Sequence, residues 1–284
     1  MELNKIQEHF KAAIKELTLI AGRNGVLFSL MVQSTERING NQDIGHSLIS
    51  AGLPFYDITV KEKPDTHMTC EQYKLNKDNL NDEVSMIMNR ECLLYISQAY
   101  EVLESYLYNQ VSQLIMLNGD IQVFVEPQKN TSTFTSTRIA LKRLRDRKNN
   151  QHLINILRAN CDLFSLHESS NIYNIDFKDW FIMLSIVRNC VIHNRSVVTK
   201  EIKSALPKCF SDRFTMVDKG EMTILEINFG HCSQLLLDIA NYMFFIYKAI
   251  IKRCYKIDLN IISVKEMFPD IRFIRFTNDK TEII

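Results

Sequence analysis

The chain is poor in the residues that break regular structure. Its 284 residues hold 8 glycines and 5 prolines. That is too few for the many tight turns of a β-sandwich or barrel, so a mostly helical fold is expected. An excess of one charge is also missing: 34 Lys and Arg stand against 33 Asp and Glu, a formal net charge of +1. No global field points to nucleic acid, and any such binding must come from a local patch. Long apolar runs are absent. The most apolar stretch, Leu235 to Ile251, is interrupted by Asp238, Asn241 and Lys248 and falls short of the roughly 20 residues that span a bilayer. Residues 1–23 mix charges at every turn and lack the apolar core of a signal peptide. No membrane partner is expected. The seven cysteines are scattered without a Cys-x-x-Cys pair, as suits buried thiols in a reducing cytoplasm rather than disulfides or a zinc site. Walker, Gly-x-Gly-x-x-Gly and Gly-x-Ser-x-Gly motifs are missing too, which leaves nucleotide hydrolysis, dinucleotide chemistry and hydrolase triads without support. What remains, 46% hydrophobic and 24% charged, is the balance of a globular protein.

Helical periods organise the chain. Leu3, Ile6, Phe10, Ile14 and Leu17 recur at spacings of three and four and predict a helix over 2–20. Val26 to Val32 reads as a second short helix. Residues 35–80 are polar and irregular, with a short strand at Phe55 to Val60. The clearest helix covers 81–117, with the stripe Ile96, Ala99, Tyr100, Leu103, Leu107, Val111 and Leu114 before Gly119. A Ser/Thr loop at 129–137 leads into a basic helix over 137–148, and another helix is expected over 150–166. Asp176 or a neighbour caps a helix striped by Phe177, Trp180, Phe181, Leu184 and Val187. Phe214–Val217 and Met222–Ile227, around Asp218-Lys219-Gly220, predict a small hairpin. A last long helix runs from about 231 to 255, and the tail at 271–276 reads as extended. The expected units are an N-terminal elaboration (1–80), a helical domain (81–258) and a C-terminal tail (259–284).

The sharpest chemistry lies in Arg188-Asn189-Cys190-Val191-Ile192-His193-Asn194-Arg195. Asn189 and His193, four apart, share a helix face. Arg188 and His193 stand about 140° apart round a helix and about 7.5 Å along it. An unbroken helix is therefore not expected to aim both at one atom. They meet if the helix breaks near His193, or if a second copy of the chain supplies the other half. The bland alternative is a helix C-terminus that attracts cations to its dipole.

This octapeptide resembles the Arg-x(4–6)-His motif of the HEPN superfamily, with Arg188 and His193 in the signature positions and Asn189 as the polar residue that follows the Arg. The order of elements is similar as well: the 81–117 helix, the motif, a hairpin, then the closing helix. The segment at 96–110 looks like the opening helix of such domains. The likeness covers roughly 85–255, and residues 1–80 match no motif. It implies a HEPN-like helical bundle with a small β-hairpin before the last long helix. It also implies a metal-independent endoribonuclease in phage defence or toxin biology, without cofactor or metal. The resemblance further implies a homodimer of two chains with their motifs facing, and an antitoxin or defence-system protein as a candidate partner. The 2′-hydroxyl of RNA attacks the adjacent phosphate, leaving a 2′,3′-cyclic phosphate and a 5′-hydroxyl. In that reading His193 is general acid or base, Arg188 holds the phosphate, and Asn189 orients the imidazole or the phosphate. Asn194 and Arg195 are weaker supporting candidates. The rival reading is a non-catalytic HEPN-like module that binds RNA, nucleotide or protein.

Glu101 and Glu104 lie near one face of the 81–117 helix. Either orients Arg188 or His193, or both belong to a solvated face, which is the expectation. Arg138, Lys142, Arg143, Arg145, Arg147 and Lys148 stand against the single Asp146. This run is an electrostatic footprint for RNA phosphates or another solvated face. No aromatics interleave it, so contact with the RNA backbone is expected without base readout. The other histidines, His9, His46, His67, His152, His167 and His231, show no ligand spacing.

Overall fold

The computed structural model describes residues 2–40, 46–51, 54–55, 67–68, 71–118, 133–144, 151–171, 175–205, 212–259, 274–277 and 280–283. In chain order these form α1 (Glu2–Gly40), β1 (His46–Ala51), β2 (Pro54–Phe55), β3 (His67–Met68), β4 (Glu71–Asn76) and α2 (Leu80–Leu117). Then come α3 (Phe134–Arg143), α4 (Gln151–Asn160), α5 (Asp162–His167), α6 (Trp180–Asn194) and α7 (Lys200–Ala205). The chain continues with β5 (Thr215–Lys219), β6 (Met222–Glu226), α8 (Phe229–Tyr255), β7 (Ile274–Thr277) and β8 (Lys280–Ile283). The fold is mainly α, with a two-stranded antiparallel hairpin, β5–β6, ahead of the last long helix. The other strands pair antiparallel as β1–β4, β2–β3 and β7–β8.

The long helices α1, α2 and α8 share one core. Ile6, Phe10, Ala13, Leu17 and Ile20 of α1 are buried in the same cluster as Leu103 and Leu107 of α2 and Ile239 and Ile246 of α8. Phe10 stacks on Tyr247 at 4.5 Å between ring centroids. Gln110 donates to the Ile6 carbonyl at 2.9 Å, and the Tyr106 hydroxyl to the Met243 carbonyl at 3.0 Å. Although the sequence separates residues 1–80 as an elaboration, α1 packs as part of the bundle.

Several boundaries differ from the periodicity. α1 does not stop near residue 20 and restart; it is one helix to Gly40. Gly22 and Gly25 weaken the middle of α1. Buried Asn24, which accepts from the Cys92 thiol at 3.5 Å, and partly buried Leu27 and Met31 tie that region to the core. Among the described residues, 35–80 hold the end of α1, the antiparallel pair β1–β4 with the short pair β2–β3 nested inside it, and the start of α2; of the expected strand only Phe55 lies among the described residues. The basic helix begins at Phe134, capped by reciprocal Thr133 and Ser136 bonds. The helix expected over 150–166 breaks at Cys161 into α4 and α5. Of the tail, Ile274–Thr277 is a strand, and residues 271–273 fall outside the described residues.

Both ends of α6 are pinned, and that positions the motif. Before it, Arg158 forms a two-pronged bond to Glu168 at 2.6 and 2.7 Å and donates to the Lys178 carbonyl. Phe177 and Trp180 pack against Tyr242 of α8. After it, Arg195 and Ser196 both take the left-handed conformation, with φ of 52° and 66°. The Ser196 amide turns back to the Cys190 carbonyl. Bonds from Leu225 to Ser196 and from Val198 to Thr223 then fasten the β5–β6 hairpin to the segment behind the motif. α8 is the one helix among the described residues long and apolar enough to cross a bilayer, and 61% of its apolar window is buried among the other helices.

Candidate active site

The C-terminal half of α6 divides its residues between core and surface. Val187, Cys190 and Val191 point inward, whereas Asn189, Ile192, His193, Asn194 and Arg195 are exposed. Arg188 lies between, its side chain 19% exposed. Burial pushes the Cys190 thiol up to about 11, so it is an inert packing group rather than a nucleophile.

Arg188 joins the site together. Its Nη1 lies 3.2 Å from His193 Nε2 and donates to Asn189 Oδ1 at 3.1 Å; its Nη2 donates to Glu101 Oε1 of α2 at 3.1 Å. This corrects two expectations. The helix is unbroken through Asn194, yet Arg188 and His193 meet within one chain. The reason is reach: backbone directions diverge by about 140°, but the long Arg side chain folds back along the surface. The geometric need for a second copy therefore falls away. Glu101, expected on a solvated face, is 56% exposed but paired with Arg188. Arg188 takes Glu101 and not Glu104, whose carboxylate accepts from the Tyr100 hydroxyl at 3.4 Å. A guanidinium only donates, so Nε2 accepts in this contact and the proton of a neutral ring sits on Nδ1. The Arg188 Nε is buried without a partner.

The basic segment meets the same face of α2. Arg138 of α3 donates to Ser105 at 3.4 Å, one helical turn beyond Glu101. Lys142 lies 6.0 Å from the centre of the Tyr108 ring, and Arg143 is exposed. Arg145, Arg147 and Lys148 lie outside the described residues. Asn194 is the last residue of α6 and Arg195 its left-handed cap, and Arg195 lines a different cleft.

The sequence reading missed Gln98, Ser105 and Arg23. They line a cleft of about 530 Å³ between α1 and α2 that includes Glu101. A signal was present: Gln98, Glu101 and Ser105 form a polar stripe, spaced three and four, on a helix otherwise rich in buried apolar residues. Among the described residues no three His, Cys, Asp or Glu side chains gather as a metal site requires. No family model matches this chain, and no curated protein or solved structure matches it either.

Proposed function

We propose that the protein is a metal-independent endoribonuclease of the HEPN type, working in the cytoplasm as a homodimer in phage defence or as a toxin. One observation carries this reading: the Arg188 guanidinium touches His193, Asn189 and Glu101 together at an exposed site. The three side chains of the motif supply the two things that RNA transesterification needs, proton transfer and charge stabilisation on phosphorus.

The bonds of Arg188 suggest the order of events. Glu101 holds Arg188 in place through Nη2. An RNA phosphate accepts from the guanidinium donor left free beside that carboxylate. His193, accepting at Nε2, removes the proton of the 2′-hydroxyl. The 2′-oxygen bonds to phosphorus, the bond to the 5′-oxygen breaks, and that oxygen leaves with a proton. One imidazole per chain serves one of the two proton transfers, and the partner copy's imidazole serves the other. The exposed Leu19, Val26 and Leu30 on α1 offer an apolar surface for the second copy beside the Glu101 cleft.

Purified protein, incubated with total RNA in EDTA, is expected to leave 2′,3′-cyclic phosphate and 5′-hydroxyl ends. Arg188→Ala and His193→Ala are each expected to lower cleavage at least about 10²-fold, within the usual range for a lost acid–base group, with the melting temperature retained. Loss of cleavage in EDTA with recovery in Mg²⁺ sinks the mechanism. RNA binding that survives both variants, with no cleavage at any pH, supports the non-catalytic module instead.

A further inference from the structure

A second cleft, of about 630 Å³, opens where α2, the end of α6 and the β5–β6 hairpin meet. Its volume lies in the range of small-ligand sites. Leu93, Leu94, Val191, Ile192 and Ile224 form apolar walls. Arg90, Arg195 and Lys219 bring three cations to it. Glu226 is its one acid, and it is already committed, held by Lys219 at 3.0 Å and by the Asn89 amide at 3.2 Å. Arg90 and Arg195 are exposed and form no ion pair among the described residues. The cleft therefore pairs an apolar slot with two uncompensated guanidiniums.

Its position ties it to the motif. Ile192 is the neighbour of His193 on α6, and Arg195 follows two residues later. Arg195 and Ser196 both hold positive φ without being glycine, an unfavoured backbone for L side chains. That turn places both residues on the cleft. Strain of this kind persists where surrounding structure enforces it, here through the bonds of Ser196 to Cys190 and Leu225.

We propose that this cleft binds one nucleotide of the RNA strand, adjacent to the phosphate held at Arg188 and His193. The base lies between the apolar walls, and its phosphate pairs with Arg195 and Arg90. The ligand chemistry is that of a nucleoside phosphate, and the strand-borne nucleotide is the occupant favoured by continuity with the motif. The adjacency, though not the cleft's ligand, rests on the ribonuclease reading of His193.

The probe is a fluorescein-labelled 2′-O-methyl RNA hexamer, which has no 2′-hydroxyl to react. Binding to full-length protein is measured across a salt series. Arg90→Ala and Arg195→Asn are each expected to weaken binding about tenfold, the loss of one charge-assisted contact. Asn is chosen because it tolerates the left-handed backbone. Together the two changes are expected to reduce the slope of log K against log salt by about 0.7, the value for one phosphate on a single strand. Ile192→Glu, on an exposed position, is expected to weaken binding as well. Unchanged affinity and slope in all three folded variants overturn the proposal. Displacement of the hexamer by free 5′-AMP at micromolar concentration assigns the cleft to a free nucleotide; resistance up to millimolar assigns it to the strand. Because nothing is cut in this assay, the two ideas fail separately. A protein that binds through the cleft but cleaves no RNA loses the ribonuclease reading alone. One that cleaves RNA, with cleft variants that bind like wild type, loses the cleft alone.

Discussion

Arg188 and His193 are in contact at 3.2 Å although they project from α6 in directions about 140° apart. Asn189 accepts from the same Nη1 and Glu101 from Nη2, so the contact is one corner of a braced group rather than a chance approach. Since Glu101 comes from α2, packing of α2 against α6 decides where the cation of the motif points.

Glu101→Gln tests that bracing. The Glu101–Arg188 pair is more than half exposed on the acid side, and exposed pairs contribute about 0–1 kcal/mol. The melting temperature is expected to move by no more than a few degrees. Cleavage is expected to fall about tenfold, because Arg188 loses the group that aims it, a cost of about 1.4 kcal/mol. Wild-type cleavage in the variant would return Glu101 to the solvated face.

Lys142, Arg143 and Arg145 form the next test. Replacing all three by Ala is expected to weaken RNA binding and to reduce the salt slope by about 2, counting roughly 0.7 for each phosphate released on a single strand. The salt series uses a long unstructured RNA. An unchanged slope shows that these cations only face solvent.

Subunit mixing addresses assembly. Wild-type chain is exchanged with excess His193→Ala chain, and cleavage is expressed per wild-type chain. A site that draws on both histidines loses activity as the inactive chain is added, since mixed dimers hold one imidazole. Constant activity per wild-type chain, or a monomer by sedimentation at active concentrations, ends the dimer proposal.

Stability is expected to fall on mild acidification. Burial lowers the pKa of both His152 and His9 from the usual 6.5. His152 Nε2 faces the Leu141 carbonyl at 3.1 Å, which only accepts, so that nitrogen keeps its proton, while Nδ1 is buried without a partner. His9 lies stacked on Phe134. A ring whose folded pKa is depressed binds its second proton more readily in the unfolded chain. The stability these groups contribute is complete above 6.5 and is lost as pH falls through 6.5 toward their lower folded values. Thermal melts from pH 7.5 to 5.5 are expected to show a falling midpoint, with a shallower fall in His152→Gln. Identical slopes in the two proteins would falsify the assignment to His152.

The helical frame was legible because amphipathic periodicity is a local property. The stripes in α2 and α8 bury the residues that their spacing selects, among them Ile96, Leu103, Leu107, Leu235, Ile239 and Ile246. The β5–β6 hairpin was legible from its turn, where Gly220 takes φ of 65°. Element ends were less so, because continuation of α1 past Gly22 and the break at Cys161 depend on what packs alongside. The motif could be read as a string of residue types, but its geometry could not, since backbone direction says nothing of where a long Arg side chain folds.

Sequence periodicity and composition were enough to specify a helical protein, a hairpin before the closing helix, and a local group of Arg, Asn and His near the end of one helix. Those features depend on propensity, turn chemistry and apolar spacing within a few residues of each other. Tertiary packing alone decided that Glu101, 87 residues from Arg188, pairs with it. It alone placed Arg138 one turn further along the same face, and set Arg90, Arg195 and Lys219 around one cleft. Which charged residues become neighbours is determined by how α2 lies against α3, α6 and the hairpin. That arrangement follows from burying the shared core, and the surface charges take their places as a consequence.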